Sequence, residues 1–215
     1  MSDKPTIGQI LAMSPVVPVI VIDDVTKAVP MARALLAGGI RVLEITLRTD
    51  SAMEAMRRIM AEVEGAIVGA GTVLTPAQLE SVAKLGAAFA VSPGATDRLL
   101  DAAAASPVPL LPGTATPSEV MTVMERGYEF MKLFPAEAVG GIALLQSLAS
   151  PLQGARFCPT GGIDAAKAER YLALPNVVCV GGSWLLPKQA VAEGAWSVVT
   201  ELARAAMALR KSGTS

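Results

Sequence analysis

The sequence predicts an α/β protein: a (β/α)8 TIM barrel of eight parallel strands, with an extra N-terminal helix. Short apolar runs alternate with Ala- and Leu-rich helical stretches. Successive runs begin roughly 20–25 residues apart, the length of one strand plus one crossover helix. Eight such units fit the 215 residues as one domain, residues 1–215, somewhat below the usual barrel of about 250 residues. An open doubly wound sheet is the alternative, but no strand-linked GxGxxG motif supports it.

The individual elements follow from local composition. The predicted strands are apolar runs, which are typical of a parallel sheet covered on both faces. In order they span residues 16–22, 41–48, 66–72, 88–92, 109–112, 130–134, 156–159 and 177–180. A helix is predicted after each strand, because several of these segments open with a capping residue followed by proline or an acidic residue. The predicted starts are Asp24, Asp50, Thr75, Thr96, Thr116, Gly141, Asp164 and Pro187. The extra helix, residues 7–13, is expected to close the bottom of the barrel.

Composition and charge narrow the possible locations and partners. No apolar run approaches the roughly 20 residues of a membrane span, although 52% of the residues are hydrophobic. The N-terminus lacks a signal-peptide pattern, and Cys158 and Cys179 lie in apolar runs, so we expect free thiols and a cytoplasmic protein. A net charge of −1 gives no reason to expect nucleic acid or a membrane surface as partner.

The chain contains no histidine. A histidine-ligated metal, a Ser-His-Asp triad and a histidine general base are therefore excluded. Sugar-phosphate isomerases and epimerases on a barrel commonly use a histidine electrophile or a histidine-bound metal, so this class is disfavoured as well.

Lys132 is the most informative residue for function. It lies in the apolar run 130–134 (Phe-Met-Lys-Leu-Phe), and none of the other six lysines has such a setting. Burial makes an ammonium group costly and favours the free amine that a Schiff-base nucleophile needs. The alternative is a structural lysine that reaches the barrel rim or pairs with a carboxylate.

The second predicted strand supplies a possible partner for this amine. Its alternation places Glu44, Thr46 and Arg48 on one face, and the apolar residues between them on the other. If the polar face is interior, Glu44 converges with Lys132, and an amine beside a carboxylate is what imine chemistry requires. The alternative is a self-satisfied interior ion pair of Glu44 and Arg48. An ionised Glu44 would favour the ammonium form and burial the amine; the sequence leaves both open.

Two glycine pairs follow the last two predicted strands. Gly161-Gly162 and Gly181-Gly182, the latter followed by Ser183, stand where barrels often bind phosphate on backbone N–H groups. A tight turn is the alternative for each pair taken alone. Thr72, at the end of the third strand, is a candidate ligand of a small anion or a helix cap. Candidates for lining the mouth are Thr160, Pro93 and Phe134.

Two long motifs resemble those of 2-keto-3-deoxy-6-phosphogluconate (KDPG) aldolases. Residues 39–48 (Gly-Ile-Arg-Val-Leu-Glu-Ile-Thr-Leu-Arg) are similar to the glutamate active-site motif of that family. Residues 127–136 (Gly-Tyr-Glu-Phe-Met-Lys-Leu-Phe-Pro-Ala) are similar to its Schiff-base lysine motif. Segments 68–73, 157–163 and 181–184 also match in the same order.

The resemblance implies a class I aldolase without metal or cofactor, commonly a homotrimer. Lys132 would form an imine with pyruvate, and Glu44 would act as general acid and base. Arg48 and Thr72 would hold the pyruvate carboxylate. The phosphate would be bound by Gly161, Gly162, Gly182 and Ser183. The expected reaction, a step of the Entner–Doudoroff pathway, converts 2-dehydro-3-deoxy-6-phosphogluconate reversibly to pyruvate and D-glyceraldehyde 3-phosphate. Cleavage of 4-hydroxy-2-oxoglutarate to pyruvate and glyoxylate is an expected companion activity.

The stereochemical preference at C4 and a non-catalytic function both stay open at this point. Galactonate-specific relatives carry proline and asparagine in place of Thr46 and Arg48, and this chain does not. A non-catalytic phosphosugar sensor would use the same binding residues without needing the Lys132 amine.

Overall fold

A computed structural model describes residues 5–209, so the first four and last six residues of the predicted domain lie outside the described residues. Nine short strands are present in this range. They are β1 (Val16–Ile20), β2 (Val42–Thr46), β3 (Ile67–Gly71), β4 (Phe89–Val91), β5 (Leu110–Leu111), β6 (Gly113–Thr114), β7 (Phe130–Leu133), β8 (Arg156–Pro159) and β9 (Val180–Gly182). All of their pairings are parallel.

Helices alternate with the strands, as the sequence predicts. They are α1 (Ile7–Ala12), α2 (Ala28–Ala37), α3 (Ala52–Glu62), α4 (Pro76–Leu85), α5 (Asp97–Ala104), α6 (Pro117–Glu125), α7 (Gly141–Ala149), α8 (Ala165–Leu172), α9 (Lys188–Glu193) and α10 (Trp196–Met207). Short 3-10 helices span Val25–Lys27 and Glu137–Val139. No helix within residues 5–209 combines the length and apolar character needed to cross a bilayer.

Side-chain caps explain several of the helix starts. Thr75, Thr96, Thr116 and Asp164 each accept a hydrogen bond from a backbone N–H in the first turn of the helix that follows. Two predicted starts are displaced. Asp24 caps the 3-10 helix that precedes α2, and Ser51, not Asp50, stands at the N-cap of α3.

The predicted closed eight-stranded barrel is wrong. The strands form a six-stranded sheet in the order β5-β4-β3-β2-β1-β9 and a separate three-stranded sheet in the order β6-β7-β8. Pro112, which has no backbone N–H to donate, separates β5 from β6. β5 lies within the predicted strand 109–112, and β6 lies just beyond its end. On the other side, β8 ends at Pro159, and isolated bridges at Phe157–Val177 and Thr160–Gly181 replace a continuous ladder.

The apolar residues form two clusters, one on each face of the strands. Leu43 and Ile45 of β2 pack with residues of the helices, whereas Val42 belongs to a cluster of inward-facing strand residues. The predicted alternation along β2 is therefore confirmed. The inner cluster also contains Ile10 and Leu11, so the predicted extra helix α1 packs against the interior face.

Candidate active site

Lys132 and Glu44 meet in the interior. Lys132 Nζ lies 3.3 Å from Glu44 Oε1, and 4% of each side chain is exposed. Glu44 comes from β2 of the six-stranded sheet, whereas Lys132 comes from β7 of the three-stranded sheet. The prediction that these two groups converge is confirmed. An amine and a carboxylate within hydrogen-bonding reach can carry out nucleophilic attack and proton transfer at one carbonyl group.

The Lys132–Glu44 pair lies deeper than the walls of a large cavity. Residues two apart share a face of a strand, so Phe134 follows Lys132, and Thr160 follows the register partner of Lys132, Cys158. Phe134 and Thr160 line a cavity of about 960 Å³, and the pair itself is not among its lining residues. Lys132 Nζ is 5.3 Å from the centroid of the Phe134 ring, within the range of a cation–π contact.

Arg48 forms a polar pair with Thr72, which is not itself among the residues that line the cavity. Arg48 lines the cavity, and its Nε donates a hydrogen bond to Thr72 Oγ1 at 3.0 Å. Within residues 5–209, Thr72 is the one non-glycine residue with a positive φ, 58°. This conformation costs an L-residue about 1–2 kcal/mol and persists only where the surrounding structure imposes it, often at binding sites. A guanidinium and a hydroxyl side by side suit a carboxylate ligand.

Two glycine-containing turns form another part of the cavity wall. Gly161, Gly162, Gly182 and Ser183 all line it, as expected of neighbouring strand ends. Gly161 and Gly162 have φ values of 108° and 76°, which favour glycine. At Gly182 a Cβ would come 1.7 Å from the Trp184 ring. Backbone free of side chains lets an anion approach N–H groups closely, so these turns suit a phosphate.

A family model described as KDPG and KHG aldolase matches residues 7–202 of the chain. The match includes both strands that carry the interior pair and every residue that lines the cavity. This chain belongs to the KDPG and KHG aldolase family.

Curated and structurally solved KDPG and KHG aldolases resemble the chain along nearly their whole length. A KHG/KDPG aldolase of Escherichia coli K12 is 53% identical over 204 residues, which is 95% of this chain and 96% of that protein. A KDPG aldolase of Legionella pneumophila, solved with pyruvate captured as a covalent carbinolamine, is 48% identical with a TM-score of 0.91, covering 93% of this chain and 97% of that one. The Zymomonas mobilis ZM4 enzyme, solved with 3-phosphoglycerate, is 45% identical with a TM-score of 0.89, covering 96% and 97%.

The aldolase cavity of this chain carries charges that the sequence did not single out. Asp23, Asp24, Lys27 and Lys188 all contribute to its wall. Lys27 Nζ donates to the carbonyl oxygen of Ala192 at 3.1 Å and so ties the first βα loop to α9. For Asp23 and Asp24, the position just beyond the end of β1 is the signal that was available in the sequence.

A second polar cluster, formed by Glu137, Lys167 and Tyr171, lies beside the glycine turn and was also missed. The hydrogen bond from Lys167, followed by that from Tyr171, lowers the pKa of the Glu137 carboxyl. Burial, with the Glu137 hydrogen bond, raises the pKa of the Tyr171 hydroxyl. The sequence signal was weak, because the three residues come from segments about 30 positions apart.

The remaining predicted residues, Pro93 and the two cysteines, lie outside the wall of this cavity. Pro93 packs against Gly113, where an added Cβ would come 2.3 Å from its carbonyl carbon, and it does not line the aldolase cavity. Cys158 and Cys179 are free and buried, and the hydrogen bond with Cys158 together with burial raises the pKa of the Cys179 thiol. Among the described residues, no group of three His, Cys, Asp or Glu side chains is arranged to hold a metal ion.

Proposed function

We propose that this protein is a class I aldolase that cleaves 2-dehydro-3-deoxy-6-phosphogluconate reversibly to pyruvate and D-glyceraldehyde 3-phosphate. The observation that carries the proposal is the buried Lys132 amine, 3.3 Å from the Glu44 carboxylate and below a cavity of about 960 Å³ that Arg48 and two glycine turns line. The names of the relatives and the pyruvate carbinolamine of the Legionella enzyme support the same chemistry.

The reaction begins when the Lys132 amine attacks the C2 ketone of the substrate and forms a carbinolamine, which loses water to give an iminium. A base then removes the proton of the C4 hydroxyl, and the C3–C4 bond breaks. Its electron pair moves into the iminium, so glyceraldehyde 3-phosphate leaves and an enamine remains. Protonation at C3 and hydrolysis release pyruvate and regenerate the amine. Glu44 accepts and returns the protons, either directly or through water.

The two ends of the substrate are held by the two polar regions of the cavity. Arg48 and Thr72 bind the carboxylate of the pyruvate half through charged and neutral hydrogen bonds. Gly161, Gly162, Gly182 and Ser183 bind the phosphate. The Zymomonas enzyme was solved with 3-phosphoglycerate, a phosphorylated three-carbon acid, which supports a site that accepts a phosphorylated acid.

A second activity, cleavage of 4-hydroxy-2-oxoglutarate to pyruvate and glyoxylate, is favoured by the name of the E. coli relative, KHG/KDPG aldolase. Both substrates present the same 2-keto acid to Lys132, Arg48 and Thr72, and they differ beyond C4. The phosphorylated substrate is expected to have the lower KM, because the glycine turns add contacts that the shorter one does not make.

The reaction is tested by supplying the gluconate- and galactonate-derived epimers of the phosphorylated keto acid side by side. We expect pyruvate release from the gluconate epimer with the higher kcat/KM, since this chain has Thr46 and Arg48 where galactonate-specific relatives differ. Equal cleavage of both epimers would contradict the stereochemical assignment, and no pyruvate from either would contradict the function.

Replacing Arg48 by methionine is expected to raise the KM of the keto acid about 100-fold, because a charge-assisted hydrogen bond and an ionic contact to the carboxylate are lost. The inhibition constant of pyruvate should rise by a similar factor, while Arg57→Met, on an exposed face of α3, should change neither. An unchanged pyruvate inhibition constant in Arg48→Met argues against the carboxylate contact.

Gly71 leaves room for the Glu44 side chain. A Cβ at this position would come 2.4 Å from Glu44 Oε1, whereas one at Gly94 meets nothing within 4 Å. Gly71→Ala should therefore displace the carboxylate and lower kcat about 100-fold, the effect of a shift near 1 Å in an active site. Gly94→Ala is the matched control, and equal kcat values for the two variants would be evidence against a role for Glu44.

We further propose that the chain acts as a single catalytic domain, which the family match over residues 7–202 supports. A cytoplasmic location accords with two free cysteines, and a homotrimer accords with the family resemblance. Sedimentation of the purified protein measures the assembly directly.

A further inference from the structure

The turn that carries Gly161 and Gly162 rests on the segment that follows β7. The Ala136 N–H donates to the Thr160 carbonyl oxygen at 2.8 Å, and the Glu137 N–H donates to the Gly161 carbonyl oxygen at 3.2 Å. A Cβ at Gly162 would come 2.8 Å from Glu137 Cγ. The Lys132 strand and the glycine turn are thus joined through both backbone and side chain.

Two side chains of helix α8 bind Glu137, and one of them also binds the glycine turn. Lys167 Nζ lies 2.8 Å from Glu137 Oε2 and donates to the Gly162 carbonyl oxygen at 2.9 Å. The Tyr171 hydroxyl donates to Glu137 Oε1. Lys167 and Tyr171 are four residues apart on α8, so their side chains share one face of the helix.

These hydrogen bonds fix the direction of three consecutive peptide units. The carbonyl groups of Thr160, Gly161 and Gly162 each accept a bond from Ala136, Glu137 or Lys167. In a planar trans peptide the N–H of the next residue points opposite to the carbonyl. The N–H groups of residues 161–163 therefore point away from this segment, and residues 161–163 all line the cavity.

An exposed ion pair between Lys167 and Glu137 would not by itself hold the glycine turn in place. Lys167 and Glu137 side chains are 40% and 35% exposed, and such pairs contribute little to stability. Here, however, the same Lys167 amine also binds a backbone carbonyl, and the Tyr171 that anchors Glu137 is fully buried. The consequence is geometric: glycines have wide conformational freedom, and this network removes it at the turn.

We infer that Lys167, Glu137 and Tyr171 are positioning residues that hold the Gly161–Gly162 turn in its anion-binding shape. The inference rests on the proposed function, in which this turn binds the phosphate of the substrate. None of the three is among the residues that line the cavity. Their removal should therefore weaken phosphate recognition and leave imine formation at Lys132 intact.

Lys167→Met tests this role. The KM of the phosphorylated keto acid is expected to rise about tenfold. That factor corresponds to about 1.4 kcal/mol, the effect of losing the hydrogen bond from the charged Lys167 amine to the Gly162 carbonyl. Inhibition by inorganic phosphate should weaken by a similar factor. Trapping of the pyruvate imine by borohydride, which involves no phosphate, should keep its wild-type rate. Lys84→Met, which removes an exposed lysine paired with Glu80 on α4, is the matched control and should change none of these values.

Tyr171→Phe provides a milder second variant, since it removes one oxygen from a buried ring. It should raise the same KM about fivefold, the effect of one neutral hydrogen bond. An unchanged KM and phosphate inhibition in both variants, or a parallel loss of pyruvate trapping, would overturn the positioning role. Failure of the proposed function is distinguishable, because then the unsubstituted protein would trap no pyruvate. In that case the role of the three residues would still be tested by comparing inorganic phosphate binding to the variants and the unsubstituted protein, measured as a shift in melting temperature.

Discussion

Replacing Lys132 by methionine should lower kcat by a factor on the order of 10⁵ or more, the scale seen when a covalent nucleophile is removed. Methionine has a similar length but no amine, so neither the carbinolamine nor the imine can form. Pyruvate release from the phosphorylated keto acid measures the loss. Lys84→Met again serves as the control, because Lys84 is exposed on α4.

Lys132→Met also leaves Glu44 buried without its cation, at a cost of about 3–5 kcal/mol in the free energy of unfolding. Lys132→Arg separates this effect from the chemical one, because arginine keeps a positive charge beside Glu44 but has no nucleophilic amine. Thermal unfolding should show Lys132→Arg to be the more stable variant, with turnover lost in both. Retention of more than a few per cent of the activity in a folded Lys132→Arg protein would contradict an imine mechanism.

Replacing Glu44 by glutamine should lower kcat roughly 10²- to 10⁴-fold, the usual contribution of a positioned acid–base group. Glutamine keeps the shape of the side chain and can still bind Lys132, but it cannot accept and return a proton. The KM should change little, because Arg48 and the glycine turns bind the substrate. Steady-state kinetics across a pH series gives both constants.

The matched control is Glu80→Gln, which removes an exposed carboxylate that is paired with Lys84. In Glu44→Gln, prolonged incubation with pyruvate and borohydride should still label Lys132, at a reduced rate. A kcat within threefold of the unsubstituted protein would rule out Glu44 as the main proton carrier.

The interior pair was predictable because its signals are local. A lysine in an apolar run, and a carboxylate two residues from further polar residues on one strand, reveal a common face through the period of two. The caps at Thr75, Thr96 and Thr116 were predictable for the same reason, since a cap binds its own first turn.

The sheet arrangement was not predictable from these signals. Counting apolar runs gives the number of βα units, but it does not tell where a ladder continues. Pro112, the last residue of one predicted strand, separates β5 from β6, and isolated bridges on either side of Pro159 replace a continuous ladder. The prediction of a closed barrel was therefore wrong at two places where a proline lacks the backbone N–H that a continuous ladder needs.

Contacts distant in sequence account for the rest of what was missed. The positive φ of Thr72 has no signature in its residue type, and it depends on surroundings such as Arg48. The network of Glu137, Lys167 and Tyr171 forms only when the segment after β7 meets α8. Sequence spacing does not show that meeting.

The proposed mechanism requires that the Lys132 amine forms the imine with the substrate. Incubation of the unsubstituted protein with pyruvate and borohydride, followed by peptide mass spectrometry, tests it most directly. We expect one reduced pyruvate adduct per chain, located on Lys132 and absent from Lys132→Arg. An adduct at Lys27 or Lys188 on the cavity wall, or no adduct at all, would contradict it.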